Sequence, residues 1–215
     1  MKTIRVTGKG MLKIRPDLTN ITLTVTGQQK DYGAALAESA EKTQNLRGAL
    51  EALGFAREDL KTQFFNVDTA YENVQEHGAY RQRFAGYRCT HELKLAFAPD
   101  NDLLGRVLYA LANSPAAPEF SISYAVKDPE ALKNELLQKA VADAKAKAGV
   151  LADAAGVRLG ELQSISYDWG NAAFELQPMN ALCKATPTGA DRFALDVQPD
   201  DIAADDAVTA VWEIL

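Results

Sequence analysis

The stretch Asp128–Ser164, "DPEALKNELLQKAVADAKAKAGVLADAAGVRLGELQS", decides how this chain folds. Asp128 is a helix N-cap residue type, and Pro129 suits the first helical position, where its missing N–H is harmless. Glu130 complements the helix dipole. Leu132, Leu136, Ala140, Ala144, Ala148, Leu151 and Ala155 then recur at intervals of three and four, giving one apolar face made mostly of alanine. Glu135, Lys139, Asp143 and Lys147 succeed one another at i,i+4 with alternating sign, as on a solvated edge. Gly156 supplies the stop. An alanine face has little bulk, so such a helix can approach a sheet or another helix closely. No catalytic residue type lies on that face: the segment packs and does not react.

Outward from this helix the period changes repeatedly. "EFSISYAV" (119–126) alternates, with Phe120, Ile122, Tyr124 and Val126 on one face, and residues 157–167 return to strand. In "DDAVTAVWEIL" (205–215), Val208, Ala210, Trp212 and Ile214 alternate against Thr209, Val211 and Glu213, a closing strand. Toward the N-terminus, Asp100 and Asp102 open a shorter helix through Leu103, Val107, Leu108 and Leu111. Leu60–Tyr71 and Tyr80–Phe97 read as strands, the second ending with Leu93, Leu95 and Phe97 on one face; the polar residues 72–78 between them read as a turn or irregular tip. Residues 32–53 carry a helical stripe that includes Ala35, Ser39, Thr43, Leu46 and Leu50, with Asp31 as N-cap and Gly54 beyond the end. Residues 19–26 form a strand with Ile21, Leu23 and Val25 opposite three threonines, and Arg15-Pro16-Asp17 turns back to a first strand, 3–14. The fold class expected is α+β, with largely antiparallel sheet packed by helices in the order ββαββαβαββ, residues 1–215 forming one domain. Residues 168–199 show no sustained period and are expected to be a long loop, which in a compact domain is usually functional or disordered.

Composition narrows the functions. The chain has 215 residues, 47% hydrophobic and 24% charged, with a net charge of −6. That is globular rather than disordered, and an acidic chain without a basic cluster is not a nucleic-acid binder. No apolar run is long enough to span a bilayer. Lys2 and Arg5 are not followed by the apolar core of a leader, so the expected location is cytoplasmic unless a leader has been removed. The two cysteines, Cys89 and Cys183, lack CxxC spacing and read as reduced thiols.

Several segments together resemble the SIMPL-domain family, a bacterial family catalogued as a domain of unknown function that includes periplasmic and surface antigens. They are "IRVTGKGMLKIRPDLTNITLTV" (4–25), "GYRCTHELKLAF" (86–97), "AVADAKAKAGVLADAAGVRLGELQSI" (140–165) and "VQPDDIAADDAVTAVWEI" (197–214). The resemblance implies the same α+β fold, with many relatives exported and some assembled as ring-like homo-oligomers. It implies no catalytic residues.

Candidate sites are weak. Gly8-Lys9-Gly10 lacks the GxxxxGK[ST] pattern and a following helix, so a β-bulge or strand kink is expected rather than a phosphate loop. Cys89 and His91 alternate onto one strand face, with His77 upstream, but zinc would want four ligands, usually in short-spaced pairs. As a nucleophile–base pair they lack an orienting group. The acid pairs Asp100/Asp102, Asp200/Asp201 and Asp205/Asp206 read as a helix start and a polar turn. No catalytic, cofactor-binding or metal residue is assigned, and no cofactor is expected. Phe64, Phe65, Tyr71, Tyr80, Phe84 and Tyr87 cluster on the 60–87 hairpin, where most are expected in the core or in cross-strand packing and an exposed fraction would form an adhesive surface. The expected function is a non-enzymatic, self-assembling, scaffolding or stress-associated protein, a homo-oligomer whose hairpin and 168–199 loop contact copies or a protein partner. The alternative is a small-molecule-binding or hydrolytic protein with a sheet–helix pocket around Tyr87, Cys89 and His91.

Overall fold

The computed structural model describes residues 2–76, 79–167, 174–175, 193 and 197–215, the side chains of residues 76 and 79 excepted. Along the chain come β1 (Thr3–Ile14), β2 (Leu18–Gln29), α1 (Tyr32–Glu51), a 3-10 turn (Arg57–Asp59), β3 (Lys61–Glu76), β4 (Ala79–Phe97), α2 (Asn101–Ala112), β5 (Glu119–Ala125), α3 (Pro129–Ala154), β6 (Leu159–Tyr167) and β7 (Ile202–Ile214). Two antiparallel sheets, β1-β7-β6 and β3-β4-β2-β5, make this an α+β chain in the expected order. It divides into two compact units: Met1–Asp17 with Ala125–Leu176 and Pro199–Leu215, and Leu18–Tyr124 with Gln177–Gln198. His77, Cys183 and most of the 168–199 loop lie outside the described residues.

In the first unit, α3 lies on the β1-β7-β6 sheet. Asp128 caps it, accepting from Ala131 N at 3.1 Å, and Pro129 occupies its first turn. The buried row is Leu136, Ala140, Ala144, Ala148 and Ala152, while Leu151 is 50% exposed and Ala155 is exposed, so the stripe keeps strictly to intervals of four. A row of fours slants across the helix surface, and a twisted sheet follows such a slant. Val6, Ala210 and Trp212 pack against Ala144 and Ala148; Leu12, Phe174 and Ala204 pack against Leu136.

The expected interruption at Gly8-Lys9-Gly10 is corrected here. β1 pairs with β7 in unbroken register from Thr3↔Glu213 to Ile14↔Ile202, so there is neither bulge nor kink. The glycines serve approach instead: a β-carbon on Gly10 would stand 2.1 Å from the carbonyl oxygen of Leu136. Between them Lys9 N, on the open edge of β1, donates to the Asp143 carboxylate at 2.7 Å. Asp205 and Asp206 are likewise not in a turn. β7 begins at Ile202, its even-numbered residues alternate inward, and Asp206 is buried, accepting from the Tyr167 hydroxyl at 2.8 Å.

In the second unit, α1 covers β2 and β4. Ile21, Leu23 and Val25 from β2 join Leu93 and Leu95 from β4 and Leu46 and Leu50 from α1 in a buried core. Asp31 and Asp100 cap α1 and α2 through Ala34 N and Leu103 N, each at 2.9 Å. The expected irregular tip at 72–78 is corrected too, since β3 and β4 stay paired as far as Glu76↔Ala79. Polar residues there face one another across the ribbon, as in the Glu72–Arg83 ion pair, and so sit comfortably in strand.

Candidate functional site

His91 on β4 faces α1, flanked along its strand by buried Cys89 and Leu93. What surrounds it depends on a bulge. Thr62 pairs with Leu93 and Phe65 with His91, three residues apart on β3 against two on β4, with the register shift between Thr62 and Phe64. Without the extra residue, Thr62 and Phe65 would point to opposite faces; with it, both flank the imidazole. Thr62 Oγ1 lies 2.9 Å from Nε2, and the Phe65 ring meets the imidazole edge-on at 5.1 Å. From α1, Thr43 Oγ1 lies 3.1 Å from Nδ1.

These contacts favour one tautomer. Thr43 spends its single hydroxyl proton on the Ser39 carbonyl at 2.8 Å, so toward His91 it can only accept. Nδ1 therefore carries the ring proton, and Nε2 accepts from Thr62. Burial first, and the nearby Arg47 charge second, lower the His91 pKa below its ordinary value. The ring is neutral at pH 7. A hydroxyl on Nε2 has the form of a nucleophile–base pair, but Nδ1–H rests on a threonine rather than a carboxylate, and Arg47 opposes the imidazolium that base catalysis creates.

His91, Thr43, Arg47, Arg57 and Phe65 line a cleft of about 440 Å³ between α1 and the sheet. The expected trio is thus only partly assembled. Cys89 lies fully buried beneath this face. Tyr87 packs edge-on against Tyr32 and Phe84, at 5.5 Å from each, and does not line the cleft. Sequence reasoning missed Ser39, Thr43, Arg47 and Thr62. A signal for the first two was present in hydroxyl residues at core-facing positions of the α1 stripe; nothing local marked the others.

Of the hairpin aromatics, Phe64, Tyr71, Tyr80 and Phe84 are 48 to 76% exposed, and Tyr71 and Phe84 meet edge-on at 6.0 Å. The last β2–β4 pair is Gln29↔Tyr87, so residues 71–76 and 79–84 form a two-stranded ribbon beyond the end of β2. Among the described residues no helix is long and apolar enough to cross a membrane.

The sequence profile of SIMPL, protein of unknown function (DUF541), matches residues 4–212. The 26 kDa periplasmic immunogenic proteins of Brucella melitensis biotype 1 and Brucella abortus (strain S19) are each 29% identical over 164 residues. That alignment covers 76% of this chain and 65% of theirs, so the chain matches less than two thirds of those relatives' length. Uncharacterized protein YggE of Edwardsiella ictaluri is 24% identical over 203 residues, 93% of this chain and 81% of that protein. The periplasmic relatives conflict with a cytoplasmic location, and that expectation is corrected. By the match over residues 4–212, the chain belongs to the SIMPL family, proteins of unknown function (DUF541).

Proposed function

We propose that this chain is an exported, non-enzymatic protein that assembles with further copies of itself through the β3–β4 ribbon. One observation carries the reading: among the described residues the ribbon beyond Gln29 has two strands, and it displays Tyr71, Tyr80 and Phe84 to solvent. An isolated two-stranded hairpin is marginal in water. Open edges with unpaired backbone groups pair readily with another chain, and exposed aromatic surface favours burial in an interface. A second copy brings the same edge and the same rings, so the contact is self-complementary. The non-enzymatic part is supported by the threonine-held, neutral His91 and by the sealed Cys89. Export is supported by the periplasmic relatives. Light scattering on the chain as it elutes from a sizing column tests assembly. The expected result is a mass several times that of one chain at micromolar concentration; a single-chain mass at every concentration refutes it.

A further inference from the structure

Among the described residues, the cleft beside His91 is lined by positive charge and by no acid. Arg47 and Arg57 both line it, and none of the described lining residues is acidic, although the chain carries a net charge of −6. Arg57 is bonded only to the neutral Gln44 side chain, at 3.2 Å, and neither arginine takes part in an ion pair among the described residues. Among the described residues Arg47 Nε is buried with no hydrogen-bond partner. The hydroxyl of Ser39, a cleft residue only 1% exposed, is buried and unpartnered as well. A buried donor left unsatisfied is costly, and a guanidinium cannot escape by losing its proton. Folded chains retain such groups where something else completes them.

The rest of the cleft says what kind of group that is. Phe65 is half exposed and held upright against His91, and Leu36 contributes an aliphatic wall. His91, neutral and bonded at both nitrogens, adds no charge and offers no free donor. The volume of about 440 Å³ falls in the range of small-molecule sites, about 300–1,000 Å³. Guanidinium groups match carboxylate and phosphate oxygens in charge and geometry. We propose that this cleft binds a small organic anion, its carboxylate or phosphate oxygens on Arg47 and Arg57 and its apolar body against Phe65 and Leu36. The site uses none of the ribbon residues, so it stands or falls independently of self-assembly.

Benzoate, phenyl phosphate, inorganic phosphate and benzamidine serve as probes on the full chain. The readouts are the His91 imidazole NMR signals and the melting temperature. Benzoate or phenyl phosphate is expected to shift the His91 signals saturably and to raise the melting temperature; whichever binds tighter identifies the carboxylate or phosphate class. Arg57→Gln, at an exposed position, is expected to weaken that binding about tenfold, the loss of one charge-assisted contact, and Arg47→Gln to weaken it further. The idea is overturned if neither aromatic anion perturbs His91 at millimolar concentration, or if cationic benzamidine binds as well. It is equally overturned if Arg57→Gln, folded by circular dichroism, binds like the parent. Inorganic phosphate matching phenyl phosphate overturns the assignment of an apolar body.

Discussion

A β-carbon added to Gly8 would stand 2.1 Å from the carbonyl oxygen of Ala140, 2.3 Å from Ala144 N and 2.7 Å from Ala144 Cα. Backbone lies against backbone here, and that closeness is what the alanine row of α3 is for. No rotamer change relieves the clash, so the helix itself would have to lift. Gly8→Ala is expected to destabilise the chain by about 1–3 kcal/mol, the usual cost of overpacking. Gly149, inside α3, has open space at its β-carbon, and Gly149→Ala is expected to stabilise by up to about 1 kcal/mol. Urea unfolding of both variants checks the contrast; equal midpoints would show that the helix does not rest on β1 this tightly.

His91 makes stability depend on pH in a defined direction. Burial, then the Arg47 charge, hold its folded pKa below the ordinary 6.5. The unfolded chain therefore takes up this proton first as pH falls, and stability declines below about pH 6.5 until the folded ring protonates too. Glu38 and Asp143 act in the same sense at lower pH. Hydrogen bonds from Lys42 and Lys147 respectively are the largest causes holding their carboxyls below the usual value, so their contribution is lost as pH drops through the folded pKa. With two histidines in the chain, an imidazole NMR titration with His91→Gln for assignment reads the first effect directly. A His91 midpoint at or above 6.5 would contradict it.

Cys89 is fully buried, with a free thiol. Native protein carrying Cys183→Ser is expected to react with a disulfide reagent at the rate of global opening rather than that of an exposed thiol. Unfolding in urea should release one fast-reacting group. Immediate reaction of the native variant would mean the thiol is accessible, and the non-enzymatic reading would lose one of its supports.

The parts legible in the sequence were those written locally. Asp31, Asp100 and Asp128 each accept a hydrogen bond three residues ahead, so the helix starts could be read from residue type and position. Ile21, Leu23 and Val25 alternate inward because the strand period is two, which is visible in any single chain. The rest depended on contacts across long separations. Gly8 looked like a kink because the atoms that require a glycine belong to Ala140 and Ala144. Thr62 and Phe65 reach the same histidine only through a one-residue register shift, which leaves no mark on composition or period. Asp206 reads as a turn acid until Tyr167, on the neighbouring strand, is placed beside it.

The ribbon gives self-assembly its most direct test. Tyr71 and Phe84 are 57% and 48% exposed and touch each other across β3 and β4, so replacing both leaves the buried core intact. The measurement is sedimentation velocity of the parent chain and of the Tyr71→Ser, Phe84→Ser variant at matched micromolar concentrations, with circular dichroism confirming the fold. Assembly through the ribbon predicts a multimer for the parent and a monomer for the variant. A parent that sediments as a monomer, or a variant that keeps the parent's mass, contradicts it.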